Sequence, residues 1–283
     1  MMETANRIAF EPEDLLTDRI ETVLFTATTN CNLRCTYCGV SLPTYRGADF
    51  DFTKVERLAE QMAAAQVRSV QINGHGETTM LPGWENYCRH FVDRGISVAI
   101  TSNFSFIYSA AEIDVLARME WITVSIDTVD RELLRRVRRK VDLRTIIYNM
   151  QAIRLRAVSA YDRYPVFNWQ CTLTDLVVGG LRDWVQMGML NGVEHFTLGN
   201  LVAHTGLAEV LAKEGAQNPR HVAELGKDEL IVACHTIAEA RRLAYEGGAD
   251  MTIQPGIAEG INARLAQFGM NAAVDFSDPA TLP

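Results

Sequence analysis

Three cysteines crowd into eight residues, Cys31, Cys35 and Cys38, in the stretch Thr29-Asn30-Cys31-Asn32-Leu33-Arg34-Cys35-Thr36-Tyr37-Cys38. Soft thiolates at such spacing suit an iron–sulfur cluster, and three ligands on a cubane leave its fourth iron open to bind something else. Two other chemistries stay open: a zinc site completed by a fourth ligand such as His75 or His204, or a disulfide with one cysteine over. The other cysteines, Cys88, Cys171 and Cys234, stand alone. Six cysteines among 283 residues do not make a disulfide scaffold, so a reducing, cytoplasmic location is expected.

Something must hold that loop in place. Short β-rich runs alternate with helical patterns, the signature of βα units around a parallel sheet. Strands are expected at Thr22 to Ala27, Ser69 to Asn73, Ile96 to Asn103, Trp121 to Asp127, Val166 to Leu173 and Val193 to Gly199, and the cysteines directly follow the first. Thr53 with Glu56 reads as a capping box ahead of Val55, Leu58, Ala59 and Met62, which share one helical face. Ile146, Met150 and Ile153 mark a later helix in the same way.

The strands alternate. Val23, Phe25, Val70, Ile72, Val98, Ile100, Ile122, Val124, Ile126, Trp169, Leu173, Phe196 and Leu198 can all face the helices. The other face collects Thr26, Gln71, Asn73, Thr101, Asn103, Thr123, Ser125, Asp127, Gln170, Thr172, His195 and Thr197. A fully packed barrel fills its interior with branched apolar side chains, so a polar interior implies a wider or incomplete barrel around a polar ligand. The expected fold is α/β, a partial (β/α)6 barrel of TIM type with a parallel sheet and a C-terminal helical extension. The expected layout is an N-terminal extension over 1–20, the barrel core over 21–203, an extension or lid over 204–270, and a poorly ordered tail over 271–283.

The CxxxCxxC spacing with Tyr37 before the last cysteine resembles the radical S-adenosylmethionine (SAM) superfamily, and the resemblance runs from about Glu21 to Asn200. It implies a [4Fe-4S] cluster on Cys31, Cys35 and Cys38 whose open iron chelates SAM. Reductive cleavage then gives methionine and a 5′-deoxyadenosyl radical that abstracts hydrogen from a peptide or small-molecule substrate. Gly74-His75-Gly76-Glu77 resembles the family's Gly-Gly-Glu motif, with Glu77 accepting from the SAM ammonium. Thr78 stands where many relatives have proline. Thr101-Ser102-Asn103 and Ser125-Ile126-Asp127 resemble the positions that contact the ribose and methionine parts of SAM. Arg138 falls where relatives keep an arginine for the SAM carboxylate, with its neighbours Arg136 and Arg139 as alternative alignments, and Thr197 where the adenine is reached. His195 faces inward and is the candidate acid/base residue, whereas Cys171 points toward the helices. An electron donor such as flavodoxin or ferredoxin is implied as a partner.

The chain looks closest to the branch whose members add a cysteine-rich SPASM or Twitch domain, but it has no cysteine beyond Cys234. A single-cluster enzyme, or one lacking a natural C-terminal domain, is therefore expected. A net charge of −8 disfavours a nucleic-acid partner, although Arg131, Arg135, Arg136, Arg138, Arg139 and Lys140 cluster on one helix and leave RNA modification as an alternative. A non-catalytic zinc-binding module is the second alternative. With 48% hydrophobic residues and no apolar stretch long enough to span a bilayer, no membrane partner is expected.

Overall fold

Seven parallel strands, hydrogen-bonded side by side in chain order, make one open sheet. The computed structural model describes residues 20–270 and 273–283, so the N-terminal extension expected over 1–20 lies, except for Ile20, outside the described residues. The strands are β1 (Thr22–Phe25), β2 (Ser69–Ile72), β3 (Ser97–Ser102), β4 (Trp121–Ser125), β5 (Val166–Thr172), β6 (His195–Gly199) and β7 (Asp250–Ile253). Helices α1 (Val55–Ala64), α2 (Trp84–Val92), α3 (Ala110–Ala117), α4 (Arg131–Val137), α5 (Leu143–Tyr161), α6 (Leu181–Leu190), α7 (Leu207–Lys213), α8 (Lys227–Glu246) and α9 (Pro255–Gln267) make up the connections and the C-terminal region. This is the incomplete α/β barrel expected from the alternating strands. It has one strand more than six, because β7 pairs with β6 from His195↔Asp250 to Leu198↔Ile253.

The period-two pattern decides which face is dry. Phe25, Val70, Ile72, Val98, Ile100, Ile122, Val124, Trp169, Phe196 and Leu198 are all buried toward the helices. The deepest packing is aromatic: the Trp184 and Phe196 rings lie 5.0 Å apart, Trp169 and Trp184 6.1 Å. The Trp184 indole also donates to Ile126 O at 3.0 Å, tying α6 to the carboxyl end of β4.

Several boundaries move for physical reasons. Ala27, Asn73, Asn103, Asp127 and Leu173 leave the ladder and become rim. The Thr53 capping box does not form. Asp51 instead accepts from Thr53 N at 3.2 Å and from its hydroxyl at 2.6 Å, capping a 3-10 turn over Phe52–Lys54 that leads into α1. A carboxylate two residues earlier wins because it reaches both donors of Thr53. The tail expected to begin at 271 is described over 273–283, where Val274 and Phe276 are buried and Val274 N donates to Asn262 Oδ1 at 2.7 Å. Among the described residues no helix is long and apolar enough to cross a membrane.

Gly188 on α6 lets the helix approach this aromatic core: a Cβ there would lie 2.6 Å from Phe196 Cε1 and 3.1 Å from Trp169 Cε3. Gly188→Val is therefore expected to destabilise the fold by about 1–3 kcal/mol through overpacking. Urea denaturation of the unliganded protein measures it; an unchanged midpoint would show that the aromatic layer yields freely.

Candidate functional site

The cysteine loop leaves β1 at Phe25 and is pinned by three separate segments. Asp49 accepts from the Thr28 hydroxyl at 2.5 Å and from Asn30 Nδ2 at 2.8 Å, while Tyr45 donates its hydroxyl to Thr29 O at 2.7 Å. From the loop after β3, Asn103 Nδ2 donates to Asn32 Oδ1 at 3.0 Å, and Asn32 Nδ2 donates to the Ser105 hydroxyl at 2.8 Å. From the end of α4, Val137 O accepts from Thr36 N at 2.8 Å. Such bonds satisfy the polar groups of an irregular loop that no ladder serves.

A buried ion pair completes the anchoring. Asp127, just past β4, has a fully buried carboxylate; Arg138 Nη2 donates to its Oδ1 at 3.0 Å. Arg138 Nε lies 2.8 Å from Oδ2 yet makes no hydrogen bond there, so this second contact is an ion pair whose N–H is poorly directed. Tyr37 donates its hydroxyl to Oδ2 at 2.8 Å and Thr172 N donates to Oδ1 at 2.8 Å. Burial would lower the Arg138 guanidinium, but Asp127, Tyr37 and Cys35 outweigh it and hold the charge firmly on. Burial also pushes the Tyr37 phenol well above its ordinary value, so it stays a donor.

The second strand delivers a different carboxylate. Glu77 is almost fully buried and accepts on Oε1 from Thr79 N at 3.1 Å, the Thr79 hydroxyl at 2.7 Å and the Ser102 hydroxyl at 2.9 Å, and on Oε2 from Asn103 N at 2.7 Å. No cation pairs with it among the described residues. Burial raises its pKa, and the four hydrogen bonds only temper the rise. Gly76 is required here for closeness: a Cβ would run into the carbonyl oxygens of Thr28 and Asn30, and Glu77 N donates to Asn30 O at 2.8 Å.

These pieces surround one cleft of about 320 Å³ at the carboxyl edge of the sheet. It is lined by Cys31, Cys35, Tyr37, Cys38, Gly74, Gly76, Glu77, Ser102, Asn103, Ser125 and Arg138, and also by Leu33, His75, Thr101, Gln170 and Thr172. The thiols are close enough to influence one another. Burial pushes Cys35 up to about 12, against the Arg138 charge, with Asp127, Cys38 and Cys31 adding to the rise; burial likewise raises Cys31, offset by the Leu33 N–H. Among the described residues no three His, Cys, Asp or Glu side chains converge as ligands of a single ion. His204, one of the two possible zinc ligands, lies against Gly39, where a Cβ would be 2.9 Å from its Nδ1.

Three expected site residues are not in the cleft. Asp127 does not line it, because its carboxylate is spent on Arg138, Tyr37 and Thr172. Thr197 donates to Asn168 Oδ1 at 3.1 Å and also lies off the lining. His195 opens β6, and in a parallel sheet the first residue of a strand lies at the amino edge, opposite the cysteines; its ring is tilted against that of Trp121 with centroids 4.5 Å apart, and it lines another cavity. Period-two counting gives the correct face for His195 but says nothing of its height along the strand. Ser102 lines the cleft, yet its hydroxyl serves Glu77. Asn168, which has the same parity as Gln170 and donates to the Thr123 hydroxyl at 3.2 Å, is a polar inward residue not among the expected ones. Asp49 and Asn32 are likewise not expected, since no spacing rule marks them.

The sequence profile of the Radical SAM superfamily matches residues 25–168, half of the chain. GTP 3',8-cyclase of Chlorobaculum tepidum is 30% identical over 132 residues, 44% of this chain and 40% of its own. Streptococcus suis SuiB bound to S-adenosylmethionine superposes with a TM-score of 0.62 at 16% identity, over 83% of this chain and 50% of that one. For anSMEcpe with bound AdoMet and Cp18Cys peptide the TM-score is 0.59 at 14% identity, over 82% and 63%. The chain thus spans about half or less of the length of the cyclase and of SuiB. At such identities the structural likeness establishes the partial-barrel fold alone.

Removing the Asp127 charge would strand Arg138 in the protein interior. Asp127→Asn is expected to cost about 3–5 kcal/mol of folding stability, read by chemical denaturation. A loss below about 1 kcal/mol, the size of an exposed pair, would show that water reaches the guanidinium.

Proposed function

Because the chain belongs to the radical SAM superfamily, we propose that it is an enzyme that binds a [4Fe-4S] cluster through Cys31, Cys35 and Cys38 and cleaves SAM reductively to act on a peptide or small molecule. The observation that carries this is the shared cleft, in which three thiols face a buried carboxylate that no cation pairs with among the described residues. The residues present fit both groups. Three soft thiols lining one cleft suit an iron–sulfur cluster, and a buried, hydrogen-bonded carboxylate without an ion-pair partner among the described residues suits an incoming ammonium.

When bound, the cluster and SAM supply one-electron cleavage of a carbon–sulfur bond and hydrogen abstraction. The chain's own residues position and shield. Glu77 keeps a free lone pair on Oε2 for the ammonium. Ser102 and Thr79 hold that carboxylate in orientation through the bonds to Oε1. Gly74 and Gly76 allow the backbone to come close, while Asn103 and Ser125 offer neutral hydrogen-bonding groups to a ribose. Arg138, fixed by Asp127, keeps Nη1 for a carboxylate. Tyr37 braces the cysteine loop against the barrel rim.

The substrate end of the cleft, with Thr101, Gln170 and Thr172, is polar and uncharged. SuiB bound to precursor peptide SuiA superposes over 91% of this chain, which supports a peptide; the nucleotide in the cyclase's name supports a small molecule. A one-electron reductant is needed as a partner.

Anaerobically reconstituted protein is expected to hold about four irons and matching sulfide and, with dithionite, to convert SAM to 5′-deoxyadenosine; bound zinc and no cleavage would sink the proposal. Cys35→Ala should abolish cleavage. Glu77→Ala should weaken SAM binding by about 10- to 100-fold, as loss of a charge-assisted bond of about 1.5–3 kcal/mol implies. The pH dependence has a definite sign. The ionised carboxylate binds the ammonium, so binding holds above the raised Glu77 pKa and fades as pH falls through it, sooner than for an ordinary glutamate. For folding the sign reverses, because a raised carboxyl pKa removes stability as pH climbs. Calorimetric SAM titrations across pH should show this acid limb, and Glu77→Gln should flatten it.

A further inference from the structure

A second cleft, of about 500 Å³, opens beside the cysteine loop and is lined by Thr36, Leu133, Arg135, Arg136, Val137, Arg139 and Leu176 together with residues 214–217. Thr36 lines this cleft while its covalent neighbours Cys35 and Tyr37 line the first. The loop is rigid at that point, since Thr36 N and the Thr36 hydroxyl both bond Val137 O, at 2.8 and 3.3 Å.

The charge here runs against the rest of the molecule. Residues 131–144 carry seven cations and two carboxylates in a chain of net charge −8. Arg135 is engaged by Asp142 at 2.9 Å and Arg139 by Glu214 at 2.6 Å. Arg136 is exposed and has no ion pair or hydrogen bond among the described residues. Arg139 and Lys140 both take left-handed backbone, with φ of 56° and 54°, which turns the chain sharply where the helix ends. Strained non-glycine geometry persists only where its surroundings hold it.

We infer that this basic cleft is the docking surface for an acidic protein that carries a one-electron donor. The inference rests on the radical SAM reading, in which each cleavage consumes one electron. The donor, for example an anionic flavin hydroquinone, loses one electron to become the neutral semiquinone. That electron would pass to the cluster that Cys31, Cys35 and Cys38 would hold, with no proton exchanged. Thr36 is then the first residue on the path, one peptide bond from a cluster-binding cysteine. A cationic rim steers an acidic partner and sets its orientation, and salt weakens it. RNA is the competing occupant of such a surface.

The test measures binding of an oxidised, acidic flavodoxin to the protein by calorimetry. Between about 50 and 500 mM salt, where screening shortens from beyond a surface patch to within a contact, affinity should fall steeply. At the lower salt Arg136→Glu should weaken binding about tenfold, Arg136→Gln less, with the differences vanishing at the higher salt. In parallel, 5′-deoxyadenosine formation driven by flavodoxin hydroquinone should drop in Arg136→Glu, while formation driven by dithionite is unchanged. Flavodoxin binding that ignores both salt and Arg136 overturns the docking surface. So does an RNA oligonucleotide that competes for these residues with tighter binding. Failure of the radical reading shows differently, as absent dithionite-driven formation in the unsubstituted protein while salt-dependent flavodoxin binding persists.

Discussion

The buried contact between Asp127 and Arg138 is the constraint on which the site depends. One carboxylate receives the guanidinium, the Tyr37 hydroxyl and the Thr172 amide, so four segments meet at two oxygens: the cysteine loop, the ends of β4 and β5, and the residue after α4. Burying two charges is costly, and replacing such a pair with apolar groups often stabilises a fold. Its value here is positional. An apolar contact would let the cysteine loop slide, whereas directed bonds to a carboxylate fix its distance from the sheet.

The carboxyl edge of the sheet shows a division of labour between two acids. Asp127 is neutralised by protein and shapes the loop. Glu77 is held by neutral donors, has no ion-pair partner among the described residues and faces the cleft. The two carboxylates, which follow β2 and β4 with β3 between them, are set to different tasks by whether an arginine reaches them.

Much of this was legible beforehand because two regularities are local. The alternation of Val70, Ile72, Val98 and Ile100 with polar residues announces which face each strand buries, and the burial matches it. The cysteine spacing likewise needs only neighbours in sequence. What stayed hidden depends on the third dimension. His195 and Thr197 have the correct parity, but parity carries no information on distance from the rim, and β6 begins at His195. Asp127 has the right position at a strand end, yet Arg138 reaches it first. Asp49 and Asn32 anchor the loop through two side-chain bonds each, across 19 and 21 and across 71 and 73 residues of chain, and nothing periodic flags such contacts. The sequence marks Met251 to Ile253 as a possible short strand but not that it extends the sheet, which it does by pairing with His195 to Leu198 of β6.

The lone carboxylate at Glu77 has one more consequence. Burial makes the ionised form of Glu77 costly while its described hydrogen-bond partners are all neutral, and a bound cation would offset that cost. Any ligand that brings the missing charge tightens the fold as well as occupying it, by an amount that grows with its concentration over its dissociation constant. Ligand scarcity in the surroundings would then be felt first as loosening of the very loop that carries the cysteines, since Asn103 bonds Glu77 through its backbone and Asn32 through its side chain.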